Sequence, residues 1–197
     1  MSAADDSTGP EHEVTRLLAE IRSSPEQFDR LLPLLYEDMK RIGHAQRRRL
    51  GGSPTLQTTA LVHEAFLKLR RSADGSIQNR LHFQRLVSRV MRQLILDYAR
   101  QSLAAKRGGK QVRITWNEAD HVIAETDLLR VLAVEQALTD MAATDPRMAE
   151  AMAAHLYAGL STDDIGELLG VSGRTIVRDL RKARAWLTLE LRDFEDG

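Results

Sequence analysis

Cysteine is absent from the 197 residues. That excludes a disulfide framework and any thiolate metal site, and it suits a reducing, cytoplasmic setting. No apolar run approaches the roughly 20 residues that a membrane-spanning helix needs. The opening stretch, Met1 to Pro10, is small, polar and acidic, unlike a signal peptide, and is expected to be a disordered tail. Alternating apolar and polar positions, the mark of strands, are almost missing. Net charge is also missing, since 28 Lys and Arg balance 28 Asp and Glu. A neutral sum argues by itself against a polyanionic partner.

The distribution of charge reverses that inference. Basic residues gather at Lys40 to Arg49, along Arg85 to Arg113 and again from Arg174, whereas acidic residues dominate between Glu118 and Glu167. Such segregation makes local positive surfaces on a neutral chain. The apolar positions repeat with helical period almost throughout, so the expected fold is all-α, two small helical domains joined by a flexible linker. A first helix starts near Glu11 and a second follows Ser24-Pro25, carrying Phe28, Leu31, Leu32, Leu35, Met39 and Ile42. Gly51-Gly52-Ser53-Pro54 breaks the pattern. A third helix, about Thr58 to Arg71, buries Val62, Ala65, Phe66 and Leu69, and a loop covers Ser72 to Ser76. The longest helix, about Asn79 to Lys106, has the stripe Phe83, Leu86, Val87, Val90, Met91, Leu94 and Tyr98. Periodicity then lapses, with a short extended piece expected at Val112 to Trp116. The expected division is a tail over residues 1–10, a domain over 11–107, a linker over 108–126 and a second domain over 127–197.

The most specific signal lies in the second domain. Ser161 is a good N-cap, with Asp164 placed to complete a capping box. Ile165, Leu168 and Leu169 form one apolar face, and Gly170 supplies the left-handed residue that ends the helix. Val171 tucks inward, Ser172 caps the next helix, and Ile176, Leu180, Ala183 and Leu187 line its buried side. The other side carries Arg174, Thr175, Arg178, Arg181, Lys182 and Arg184. A short helix, a tight turn and a basic second helix form a helix-turn-helix of the kind that enters a DNA major groove. An ordinary helical hairpin with a solvated face is the plainer alternative. Arg174, Thr175 and Arg178, nearest the N-terminus of that helix, are candidates for base edges; Arg181 and Lys182 are candidates for phosphate.

On the long helix, Arg85, Arg89, Arg92 and Arg100 are spaced to lie away from the apolar stripe, where they could track the phosphates of one strand. Arg107, Lys110 and Arg113 extend that track. No histidine pair has ligand spacing, no phosphate loop follows a strand and no nucleophile elbow occurs, so neither a metal, a cofactor nor an enzymatic activity is expected.

Three pieces together resemble the extracytoplasmic-function branch of bacterial RNA polymerase sigma factors. Thr59-Ala-Leu-Val-His-Glu-Ala-Phe-Leu-Lys-Leu69 is similar to the core-binding helix, and Phe83 through Arg107, including Met91-Arg-Gln-Leu-Ile-Leu-Asp-Tyr-Ala-Arg100, to the promoter-melting helix. The helix-turn-helix is similar to the domain that reads the upstream element. The resemblance, over about Glu11 to Leu191, implies core RNA polymerase and promoter DNA as partners. It implies upstream (−35) contacts from Arg174, Thr175, Arg178, Arg181 and Lys182, and downstream (−10) contacts from Asn79, Arg80, Arg85, Arg89, Arg92 and Arg100, with a base pocket from the loop Ser76 to Arg80. Core polymerase would meet Thr59, His63, Glu64 and Leu67.

One departure from the family pattern is chemical. Family members usually carry acidic residues just before the Leu-Val-Gln-Glu core of this helix, yet here Gln57, Thr59 and Ala60 precede Leu61-Val-His-Glu64. A subgroup that this chain resembles is thought to be controlled by a Ser/Thr kinase, which implies that phosphorylation of Thr59, or secondarily Thr58, restores the charge. Both threonines also suit plain helix capping. An anti-sigma factor is the other regulator that the family implies. The competing reading of the whole chain is a stand-alone dimeric helix-turn-helix regulator, which would bind palindromic sites unaided. A recombinase-like enzyme fits less well, because Tyr98 lies on the apolar stripe and Tyr36 among acidic neighbours.

Overall fold

The computed structural model describes residues 25–49, 58–72, 79–106 and 124–192. The expected tail, the helix from Glu11, the Gly51–Pro54 breaker, the Ser72–Ser76 loop (beyond Ser72 itself) and the extended piece at Val112–Trp116 lie outside them. So do Gln57, Arg107, Lys110 and Arg113.

The described residues are helical. α1 is Pro25–Arg49, α2 Thr58–Ser72 and α3 Arg80–Lys106; α4 is Glu125–Thr144 and α5 Pro146–Ala153, which widens into a π turn at Ala154–Ala158. α6, Thr162–Leu169, and α7, Gly173–Glu190, complete the order. These boundaries lie close to those the apolar period predicts. α3 begins where Asn79 Oδ1 accepts the His82 backbone N–H at 2.8 Å, relieving an orphan donor of its first turn. α5 starts at Pro146, the position where a missing N–H costs nothing, with Asp145 Oδ1 accepting Met148 N at 3.0 Å.

Two hydrophobic clusters hold the helices. The first joins α1, α2 and α3 through Leu35, Met39, Ile42, Leu61, Val62, Phe83, Val87 and Met91. The second joins α4 to α7 through Leu138, Met141, Met148, Met152, Leu160, Ile165, Ile176, Leu180 and Leu187. The two are not isolated from each other. Val131 of α4 packs on the first cluster and Leu81 of α3 on the second. A third, smaller cluster joins Ala99 and Leu103 of α3 to Leu128 of α4. α3 is thus the helix against which both halves are built. Within the predicted stripe of α3, Leu86, Val90 and Tyr98 are only half-buried, while Ile95 and Leu96 are buried. The apolar surface wraps further round the helix than one stripe, because two partners cover it.

Among the described residues no helix is long and apolar enough to cross a membrane.

Candidate nucleic-acid interface

The turn between α6 and α7 is shaped by local chemistry. Ser161 Oγ accepts Asp164 N at 3.1 Å and Asp164 Oδ2 accepts Ser161 N at 3.2 Å, a reciprocal capping box. Gly170 ends α6 at φ +66°, where an L side chain would strain the backbone. The Val171 N–H then returns to Gly166 O at 2.9 Å. Gly166 is required for another reason: a Cβ there would stand 2.7 Å from Val171 O, so only glycine lets the turn fold against α6. Ser172 Oγ accepts Thr175 N at 3.2 Å and opens α7.

α7 buries Ile176, Leu180, Ala183 and Leu187, as its period predicts. Its opposite side leaves Arg174, Arg178, Arg181, Lys182 and Arg184 exposed. Thr175 is half-buried, its hydroxyl 2.9 Å from Ser172 Oγ. Arg184 leans away from the others, with Nη2 3.2 Å from His155 Nε2. Sequence reasoning missed Asp179. It is 2 % exposed, held by Arg147 Nε at 3.0 Å, and so ties α7 to α5. Its spacing, three residues after Ile176 and four before Ala183, sets it on the buried face, a signal that its charge and its neighbour Arg178 concealed.

The candidate residues of α3 have different surroundings. Arg80 makes a bidentate pair with Asp38 of α1, at 2.7 and 3.1 Å. Burial by itself raises the pKa of Asp38, but the hydrogen bonds from Arg80 and Gln84 and the charges of Arg80 and Arg41 outweigh it, so the carboxyl titrates below its ordinary range. Arg85 pairs with Glu150 of α5. Arg92 pairs with Glu135 of α4 through two bonds of 2.7 Å, and its guanidinium lies 4.7 Å from the centroid of the Tyr157 ring. Arg89 and Arg100 are exposed, the latter 3.7 Å from Asp97. Asn79 is half-buried and serves as the N-terminal cap. The arginines along α3 are therefore divided: Arg89 and Arg100 face solvent, Arg80 meets α1, and Arg85 and Arg92 meet α5 and α4.

On α2, Thr59 and His63 are exposed, and Glu64 and Leu67 half-buried. The first turn of α2 contains no acidic residue. Thr58 is 7 % exposed, its hydroxyl 3.3 Å from His44 Nδ1. The two neighbouring threonines thus occupy opposite environments.

A profile of the ECF sigma factor family matches residues 11–193. The chain belongs to that family, whose members bind core RNA polymerase and direct transcription initiation at promoter DNA. No curated protein and no solved structure matches it.

Proposed function

We propose a division of labour within this sigma factor. α6 and α7 read the upstream element, with Arg174, Thr175 and Arg178 at base edges and Arg181 and Lys182 on phosphates. α3 engages the downstream element through Asn79, Arg80, Arg85, Arg89, Arg92 and Arg100, and α2 meets core polymerase with Thr59, His63, Glu64 and Leu67. The observation that carries this reading is the exposed cationic row of α7 behind a capped turn: Arg174, Arg178, Arg181 and Lys182 face solvent while Ile176, Leu180, Ala183 and Leu187 anchor the opposite side. A bidentate arginine contact gives about 1–3 kcal/mol of base discrimination. Two or three such contacts do not select a promoter alone, which suits a protein whose second contact is supplied through the polymerase.

Control by phosphorylation at Thr59 belongs to the same proposal. Its hydroxyl is exposed at the start of α2, where a phosphate of about −1.5 to −2 charge is favoured by the helix dipole. The burial of Thr58 against His44 makes it the poorer substrate of the two.

Run-off transcription with core polymerase tests the first part: transcript that depends on this protein supports it, and binding to symmetric sites as a dimer without polymerase refutes it. Core-polymerase affinity of wild type, kinase-treated protein, Thr59→Ala and Thr59→Glu tests the second. Equal affinity in all four forms removes phosphorylation from the scheme.

A further inference from the structure

Gln46 of α1 is buried with only half of its amide in use. It is 2 % exposed and donates from Nε2 to Ser88 O at 3.1 Å and to Tyr157 O at 3.2 Å. Those two bonds fix the amide, because turned over it would set its oxygen against two carbonyl oxygens. Oε1 is thereby held in place, buried, with no hydrogen-bond partner among the described residues. A buried acceptor in that state is costly, and native interiors seldom keep one.

Gln46 also lines a cavity of about 590 Å³, between α1 and α3 on one side and α4, α5, the π turn and α7 on the other. Its size falls within the roughly 300–1,000 Å³ of pockets that take small molecules. Most of the lining is apolar, including Ile95 and Leu96 of α3, Val131 of α4 and Met152 of α5. The charged lining is uneven, with Arg92, Arg130 and Arg184 against Asp127 alone. Glu135 answers Arg92, and a positive balance remains. Arg130 and Arg184 are exposed, so this charge stands where the cavity meets solvent, whereas Gln46 marks a buried wall.

Arg184 is aimed differently from the rest of the basic row. Its Nη2 lies 3.2 Å from His155 Nε2, and His155 Nδ1 lies 3.4 Å from Leu160 O. A carbonyl oxygen only accepts, so the imidazole proton sits on Nδ1 and Nε2 takes the guanidinium N–H. Of its five donors Arg184 commits one here, and the others are left for an anion.

We propose that this cavity binds a small amphipathic acid. Its apolar body lies among Ile95, Leu96, Val131 and Met152, an N–H or O–H donates to Gln46 Oε1, and an anionic head meets the Arg184 guanidinium in the positive potential that Arg130 adds. Each part answers one feature of the lining. A purely apolar ligand leaves Gln46 Oε1 without a donor, and an inorganic anion leaves the apolar wall uncovered. The site is independent of which helix meets which promoter element.

N-decanoylglycine carries all three parts: an acyl chain, an amide N–H and a carboxylate. Isothermal titration calorimetry with the full-length chain is expected to show saturable binding of a single molecule. The methyl ester, which lacks the charge, is expected to bind about tenfold more weakly, and decanoate, which lacks the amide N–H, about fivefold. Arg184→Ala is expected to weaken N-decanoylglycine by about tenfold and to leave the ester unchanged. Val131→Trp, which fills the cavity, is expected to abolish binding of all three. No saturable binding of N-decanoylglycine, equal affinity for the three compounds, or full affinity in either variant overturns the proposal. Should circular dichroism show that Val131→Trp fails to fold, methyl NMR of the unaltered chain takes its place. Shifts on adding N-decanoylglycine are expected at Ile95, Leu96, Val131 and Met152; shifts confined to the exposed Val177 and Leu189 mark detergent-like adsorption and overturn it. Neither altered residue is among those assigned to DNA or polymerase, so a failure of the transcription assay would remove that assignment and leave the binding site standing.

Discussion

α7 and α3 both carry rows of arginine, yet only the row on α7 lies wholly on the exposed side of its helix. On α7 the cations project from a helix whose far side alone is buried, in a motif completed within about thirty residues of chain. On α3 the helix is covered from two directions, and Arg80, Arg85 and Arg92 each meet a carboxylate from another element. The contrast teaches that a cationic stripe reports where positive charge lies along a helix, and that its availability depends on what packs beside it.

The largest effect that would break the comparison is loss of the scaffold beneath the α7 row. Ile176→Ala removes a fully buried side chain from the second cluster and should cost about 2–5 kcal/mol. Thermal unfolding would register this; a change below about 0.5 kcal/mol would mean that α7 is not anchored as described. Gly166→Ala should cost about 1–3 kcal/mol through overpacking against Val171 O, with upstream-element affinity falling alongside stability.

The next test compares the rows directly. Arg92→Ala leaves Glu135 unpaired in a mostly buried site, and should destabilise the free chain by about 1–2 kcal/mol. Arg178→Ala, on an exposed side chain, should leave stability within about 0.5 kcal/mol while costing about 1–3 kcal/mol in promoter discrimination. If chemical denaturation ranks them the other way, the two environments have been misassigned. Arg181→Ala should weaken binding uniformly across promoter sequences and reduce the salt slope of holoenzyme affinity by about 0.9 in log–log units.

The smallest effect concerns pH. Asp38 has a depressed pKa in the folded chain, so its pairing with Arg80 contributes stability that is fully present above the unfolded value of about 3.9. That contribution is lost as pH falls through the folded value. Asp38→Asn should therefore flatten the acid limb of the stability profile below about pH 4. An identical acid limb in wild type and variant would contradict the pairing.

The caps of α6 and α7 and the turn between them were legible residue by residue, since Ser161, Asp164, Gly170 and Ser172 act within three or four positions of themselves. The extent of α3 and most of its apolar stripe were legible for the same reason. The partners of Asp179, Asp38 and Gln46 were not: helical spacing sets each on an apolar face, but Arg147, Arg80 and Tyr157 come from elements that no local pattern names. Charge segregation held a clue that was only half used. The acidic stretch between Glu118 and Glu167 includes Glu135 and Glu150, the partners of the basic helix.

The order of amino acids determined the helices, their caps, the turn before α7 and the ECF sigma factor character of the chain, because capping and helical period act over one or two turns of backbone. Which arginines face solvent was decided only when the chain folded back on itself. Arg92 and Glu135 are 43 residues apart and Gln46 and Tyr157 111 apart, and contacts over such separations are set by how whole helices pack, which short-range patterns do not encode.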